Sequence, residues 1–103
     1  MERIINGLHY DTDNATEITS WSNSNHADDF YFCSETLYRT DKGRWFLLGK
    51  GGARSKYSTP VAGGTSGGQE IIDLSEEEAY LWCENKNQID TIKKHFSHWI
   101  EEA

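Results

Sequence analysis

At 103 residues the chain makes one domain, long enough to bury roughly two thirds of its unfolded surface, so a core can form without disulfide or metal staples. Ten Lys and Arg against seventeen Asp and Glu give a net charge of −7, which argues against direct binding of naked nucleic acid and suits a basic partner. Four Trp, five Tyr and four Phe concentrate burial in a few large rings, a composition that favours a folded domain over a disordered chain.

Residues 3–10 set Ile4, Ile5, Leu8 and Tyr10 around Asn6-Gly7, and the turn-forming Asp11-Thr12-Asp13-Asn14 follows, so a first strand ending near Asp11 is predicted. Residues 15–22 predict a second strand from β-branched Thr16 and Thr19 with Ile18 and Trp21, although the apolar spacing of three also fits a helical turn. Ser22-Asn23-Ser24-Asn25-His26-Ala27-Asp28-Asp29 is polar and aperiodic and reads as an exposed loop.

Residues 30–52 hold most of the large apolar side chains in two runs joined by Asp41-Lys42-Gly43. This is the pattern of a β-hairpin with strands near 30–40 and 44–49, Gly43 taking positive φ in the turn. Both strands are apolar on both faces, with Trp45 and Leu47 alternating with Phe46 and Leu48. Each face therefore needs a cover: helices on one side, and a loop, a subunit or a partner on the other. Residues 49–69 contain most of the glycines and the only proline, Pro60, which predicts a long irregular connection.

A short strand is expected at 70–74. Ser75 then reads as an N-cap with Glu78 as its capping-box partner and Glu76 and Glu77 in the first turn. Ala79, Trp82 and Cys83 follow at helical spacing. Asn87 and Asp90 offer caps for a second helix whose apolar stripe is Ile89, Ile92, Phe96, Trp99 and Ile100. The expected fold is thus a single α+β domain over residues 1–103. A mainly antiparallel sheet of three to five strands occupies residues 1–74, and one or two C-terminal helices within 75–102 pack on one face.

Reacting groups are harder to find. Gly49-Lys50-Gly51-Gly52 fails the phosphate-loop pattern, because Arg44 stands where its first Gly belongs and Gly51 where Ser or Thr belongs. Gly63-Gly64-Thr65-Ser66-Gly67-Gly68 lacks the strand-to-helix setting of a dinucleotide site. His95 and His98 have helical spacing for a shared metal but no third ligand, and read as boundary histidines. Cys33 and Cys83 lack CxxC spacing and read as free, mostly buried thiols of a reducing compartment. No catalytic, cofactor-binding or metal-ligating residue is expected, and no window approaches a membrane span.

Charge and ring content point instead to a protein-binding surface. Its expected residues are the carboxylates Asp28, Asp29, Glu35 and Asp41 beside exposed Tyr31, Tyr38 and Trp45. Rings supply affinity in such a surface, and carboxylates steer it toward Lys and Arg. One alternative is a nucleic-acid or nucleotide site made by Arg39, Lys42, Arg44, Lys50, Arg54 and Lys56 around the glycine-rich region; another is self-association, as a homodimer, through the stripe over residues 89–100.

Tyr10-Asp11-Thr12, the run from Glu35 to Thr40 with Lys42-Gly43 and Trp45-Phe46-Leu47, Gly49 with Gly51-Gly52, Ser55-Lys56-Tyr57, and Ile71-Ile72 with the run from Leu74 to Ala79 carry a resemblance. Over residues 8–84 the chain resembles a family of small proteins carried by phages and conjugative elements. That setting includes anti-CRISPR proteins. The resemblance implies an inhibitor acting in the cytoplasm of a bacterial host cell, with a CRISPR effector complex or another host protein as its partner. Residues 85–103 lie beyond the matching part.

Overall fold

The computed structural model describes residues 1–23 and 25–103; Ser24, one residue of the loop expected at 22–29, lies outside the described residues. Among the described residues the strands are β1 (Glu2–Ile5), β2 (Leu8–Asp11), β3 (Thr16–Ser22), β4 (Cys33–Arg39), β5 (Trp45–Gly51), β6 (Thr59–Val61), β7 (Gly64–Ser66) and β8 (Gly68–Leu74). The helices are α1 (Glu76–Asn85) and α2 (Ile89–His95), with 3-10 turns at Thr12–Asn14 and Ser97–Trp99. The fold is α+β, and every strand pairing is antiparallel.

The expected hairpin is β4–β5. Thr40 N–H donates to the Arg44 carbonyl (2.8 Å), and Gly43 takes φ 86°, a value that glycine adopts without strain. It forms the centre of a four-stranded sheet ordered β3-β4-β5-β8. Register assigns the faces, since paired residues share a side. Trp21, Glu35, Gly49 and Glu70 form one row, and Thr19, Leu37, Leu47 and Ile72 the next. Arg39, Trp45 and Leu74 extend the same face. A bulge between Glu17 and Thr19 explains the ambiguous spacing in β3. The extra residue lets Ile18 and Trp21, three apart, both turn toward this face, and Ile18 packs on its core.

That core consists of Leu37, Trp45 and Leu47 against Ala79 and Cys83 of α1 and Ile92 and Phe96 beyond it. Helix α1 starts as predicted: Ser75 Oγ accepts from Glu78 N–H (3.1 Å) and Glu78 returns the bond to Ser75 N–H (2.9 Å). Helix α2 is shorter than its stripe. Phe96 ends it, a 3-10 turn follows, and Ile89, Trp99 and Ile100 stay exposed.

The other face buries Phe46, Leu48 and Ile71. Its cover is the N-terminal segment, which is two strands where one was expected. Asn6 (φ 51°) and Gly7 (φ 78°) make the tight turn between β1 and β2, and Tyr10 is delivered edge-on to Phe46 at 5.4 Å. The irregular connection expected over 49–69 also contains regular structure, the small β6–β7 hairpin with Gly63 in its turn. Both outer strands of the main sheet receive a side chain on a backbone carbonyl. Arg3 donates to Ile71 on β8 (2.7 Å), and Gln88 donates to Ser20 on β3 (3.4 Å) while accepting from Thr19 (2.9 Å). Neither helix is long and apolar enough to cross a membrane.

Candidate functional site

Two features meet at the end of the sheet where β4 begins: a buried carboxylate and an exposed aromatic loop. The carboxylate is Glu35, only 1% exposed. It lies on the helix-covered face, in the row next to the one holding Leu37 and Leu47, and burying it without partners would be prohibitive. Four groups converge on it. Trp82 of α1 donates its indole N–H to Oε1 (3.0 Å), and Lys86 Nζ stands 3.8 Å from the same oxygen. The Tyr57 hydroxyl donates to Oε2, with Lys56 Nζ 2.7 Å from that oxygen. Lys86 is itself seated over the Trp21 ring at 3.7 Å.

Burial pushes the Glu35 carboxyl up, but the hydrogen bonds from Lys56, Tyr57 and Trp82 together outweigh it and hold the group below its ordinary range. Burial, and then the bond to Glu35, push the Tyr57 hydroxyl far in the opposite direction. Burial, with Glu35 beside it, also raises the Cys33 thiol, while Lys56 and Lys86 oppose the rise. A thiol held protonated is a poor nucleophile near neutral pH. Both oxygens of Glu35 are engaged, so the cluster fastens α1 and residues 52–58 to the sheet.

Gly49 makes this possible. A Cβ there would sit 1.9 Å from Tyr57 Cζ, so only a residue without a side chain leaves a slot for the ring that delivers the hydroxyl. Glu35, Gly49 and the run Ser55-Lys56-Tyr57, distant in sequence, therefore meet at one point. From Tyr57 the fixation runs outward. Tyr57 N–H donates to Ser55 Oγ (3.2 Å), which donates to the Gly52 carbonyl (2.8 Å). Gly52 N–H donates to the Phe32 carbonyl (2.9 Å) and Arg54 N–H to the Phe30 carbonyl (2.8 Å). At Gly52 a Cβ would lie 2.3 Å from the Asp29 carbonyl oxygen, so the two backbones touch.

The segment held this way carries Asp28, Asp29, Phe30 and Tyr31. Phe30 is 65% and Tyr31 56% exposed, and both carboxylates are exposed beside them. The Asp29 side chain accepts from Tyr31 N–H (2.7 Å), and Asn23 donates to the Tyr31 carbonyl (2.7 Å). A cleft of about 270 Å³ lies alongside, lined by Phe30, Ala53, Arg54, Gly64 and Thr65. Thr65 Oγ1 ties the β6–β7 hairpin to the Ala53 carbonyl (2.5 Å).

The seven expected contact residues do not form one surface. Asp28, Asp29 and Tyr31 stand together and exposed. Glu35 is buried as the anchor, and Trp45, 4% exposed, lies under α2 against Phe96 at 4.9 Å; neither can meet a partner. Strand parity is the reason, since both point to the helix-covered face. Tyr38 is half-buried on the opposite face, stacked on Phe46 at 5.1 Å, and Asp41 is exposed in the turn at the far end of β4. Phe30 and Arg54 join the surface without having been expected there.

The six basic residues are also dispersed. Lys42 and Arg44 flank the turn, while Lys50, Arg54 and Lys56 lie at the other end, roughly 20 Å along an extended strand. Arg39 sits over Trp45 (4.9 Å) and Lys56 is bound to Glu35. His95 and His98 are separated in use. His95 faces the Trp45 edge, where burial lowers its pKa, and His98 pairs with Glu76 (2.7 Å). Glu2, His9 and Asp11 bring ligand atoms within 4.8 Å of one another, but both Asp11 oxygens already accept, from Asp13 N–H and the Asn14 amide.

Compared with protein-family models, curated proteins and solved structures, the chain matches none.

Proposed function

We propose that this protein acts by stoichiometric binding: the segment bearing Asp28, Asp29, Phe30 and Tyr31 docks on a positively charged surface of a protein partner and blocks it. One observation carries the reading. Two large rings stand more than half exposed next to two carboxylates, on a segment whose backbone is bonded to residues 52–54 and, through them, to the buried Glu35 anchor. Exposed rings on mobile loops lose much of their contact energy to ordering, whereas rings on a fixed segment keep it. Aromatic anchors flanked by charges are the usual residues of an energetic centre in an interface. The net charge of −7 favours a basic partner through steering.

The finer reading rests on the family resemblance: an inhibitor of the anti-CRISPR kind, acting inside a bacterial host on the nucleic-acid-binding or recruitment surface of a CRISPR effector. Target-DNA binding and cleavage by a panel of purified effector complexes tests it. The expected result is inhibition complete near equimolar protein, lost in Phe30→Ala/Tyr31→Ala and in Asp28→Lys/Asp29→Lys while circular dichroism and melting stay unchanged. A panel unaffected throughout removes the CRISPR assignment. Inhibition that survives both double variants removes this segment as the contact.

A further inference from the structure

We infer that the groove between α1 and α2 pairs with the same groove of a second copy of this chain, giving a two-fold dimer. The groove, about 270 Å³, is lined by Tyr80, Glu84, Asn87, Ile89, Ile92, Lys93 and Ile100. Apolar surface continues beyond it. Leu81, Ile89, Trp99 and Ile100 are each 39% to 52% exposed. Trp99 is stacked on Tyr80 at 5.5 Å and held by Glu76, which accepts from its indole N–H (3.2 Å), so the ring is presented in a fixed pose. Helical periodicity places Leu81 on α1 next to Glu84. An exposed apolar strip of this kind, rimmed by charge, is the usual mark of an interface.

The charges on the rim say what covers it. The α1 wall is acidic, with Glu84 in the groove and Glu77 on the same side of the helix; the α2 wall carries Lys93. Among the described residues neither Glu84 nor Lys93 is ion-paired within the chain, although Tyr80 donates its hydroxyl to one Glu84 oxygen (2.5 Å). A surface with one acidic and one basic wall on either side of an apolar strip is complementary to itself. If the two-fold axis runs along the groove, Glu84 of each copy faces Lys93 of the other. An axis across the groove would put like charges together, so charge also selects the orientation. A weak, transient association is expected, with a dissociation constant on the order of micromolar.

Sedimentation equilibrium from about 5 to about 500 µM brackets that range. Wild type is expected to shift from monomer to dimer mass. Glu84→Lys and Lys93→Glu each place like charges at both symmetric contacts, and each should weaken the dimer about tenfold or more. Mixed together, the two variants restore both pairs, so an equimolar mixture should dimerise like wild type while each alone does not. Circular dichroism of each variant confirms folding, and the mixture carries the result regardless of any effect on stability. Wild type that stays monomeric throughout overturns the proposal. So does a wild-type dimer whose single variants associate unchanged, or whose mixture fails to recover.

Discussion

Glu35 with Tyr57 and Trp82, and Asp28 and Asp29 with Phe30 and Tyr31, are built from the same kinds of residue and have opposite fates. In the first, every polar atom is bonded and the rings face inward; in the second, the carboxylates and rings stand in water. The inner group gains its strength from low dielectric and full satisfaction, which also makes it intolerant of change. The four outer side chains are exposed, so core packing does not dictate their identities. Acidic and aromatic composition alone does not distinguish an anchor from a contact; position relative to the sheet does.

Replacing Glu35 by Ala should break this contrast most severely. It strands Lys86 and the Trp82 indole and frees Tyr57, and breaking a buried charged network of this kind costs about 3–5 kcal/mol, read as a collapse of the urea midpoint. Gly49→Ala should follow, at about 1–3 kcal/mol, because its Cβ must push the Tyr57 ring off the carboxylate. Adding Tyr57→Ala should relieve that clash, so the double variant should lose less than the sum of its single changes. Ser75→Ala removes one half of the capping box and should cost about 1 kcal/mol. Smallest of all, Asp28→Lys/Asp29→Lys should move stability by no more than about 0.5 kcal/mol, while any binding made through the proposed surface should be lost.

Acid sharpens the same comparison. The folded Glu35 carboxyl lies below its ordinary value near 4.5, so the stability it contributes is present above that value and is lost as pH falls through the lower, folded one. Urea midpoints should therefore hold steady from neutrality to about pH 5 and decline below pH 4.5, with a shallower decline in Glu35→Gln. A decline of equal steepness in that variant would assign the acid sensitivity to other carboxylates.

What could be read from the sequence was local. The β4–β5 hairpin declares itself by alternation and Gly43, the start of α1 by Ser75 and Glu78, and the two-faced hydrophobicity of β5 correctly demanded two covers. Asn6-Gly7 carried a hairpin signal that the reading of a single strand passed over. The partners of Glu35 lie 22 and 47 residues away at Tyr57 and Trp82, and no spacing rule connects them. The burial of Trp45 follows from its pairing with Arg39 and the parity it shares with Leu37, which only the register of the assembled sheet defines. The glycines of 49–52, read as the start of an irregular connection, prove to be slots for a ring and a neighbouring backbone.

Arg3 on the Ile71 carbonyl and Gln88 on the Ser20 carbonyl interrupt the rims of the sheet near the middle of each outer strand. An incoming peptide needs an unbroken ladder of free amides and carbonyls to zip on, and these side chains leave it only short runs. The two edges of the main sheet are thereby poor templates for edge-to-edge pairing. Under the proposed function a partner would meet side chains more readily than the edges of the main sheet, and exposed side chains can be retuned by single substitutions without disturbing that sheet.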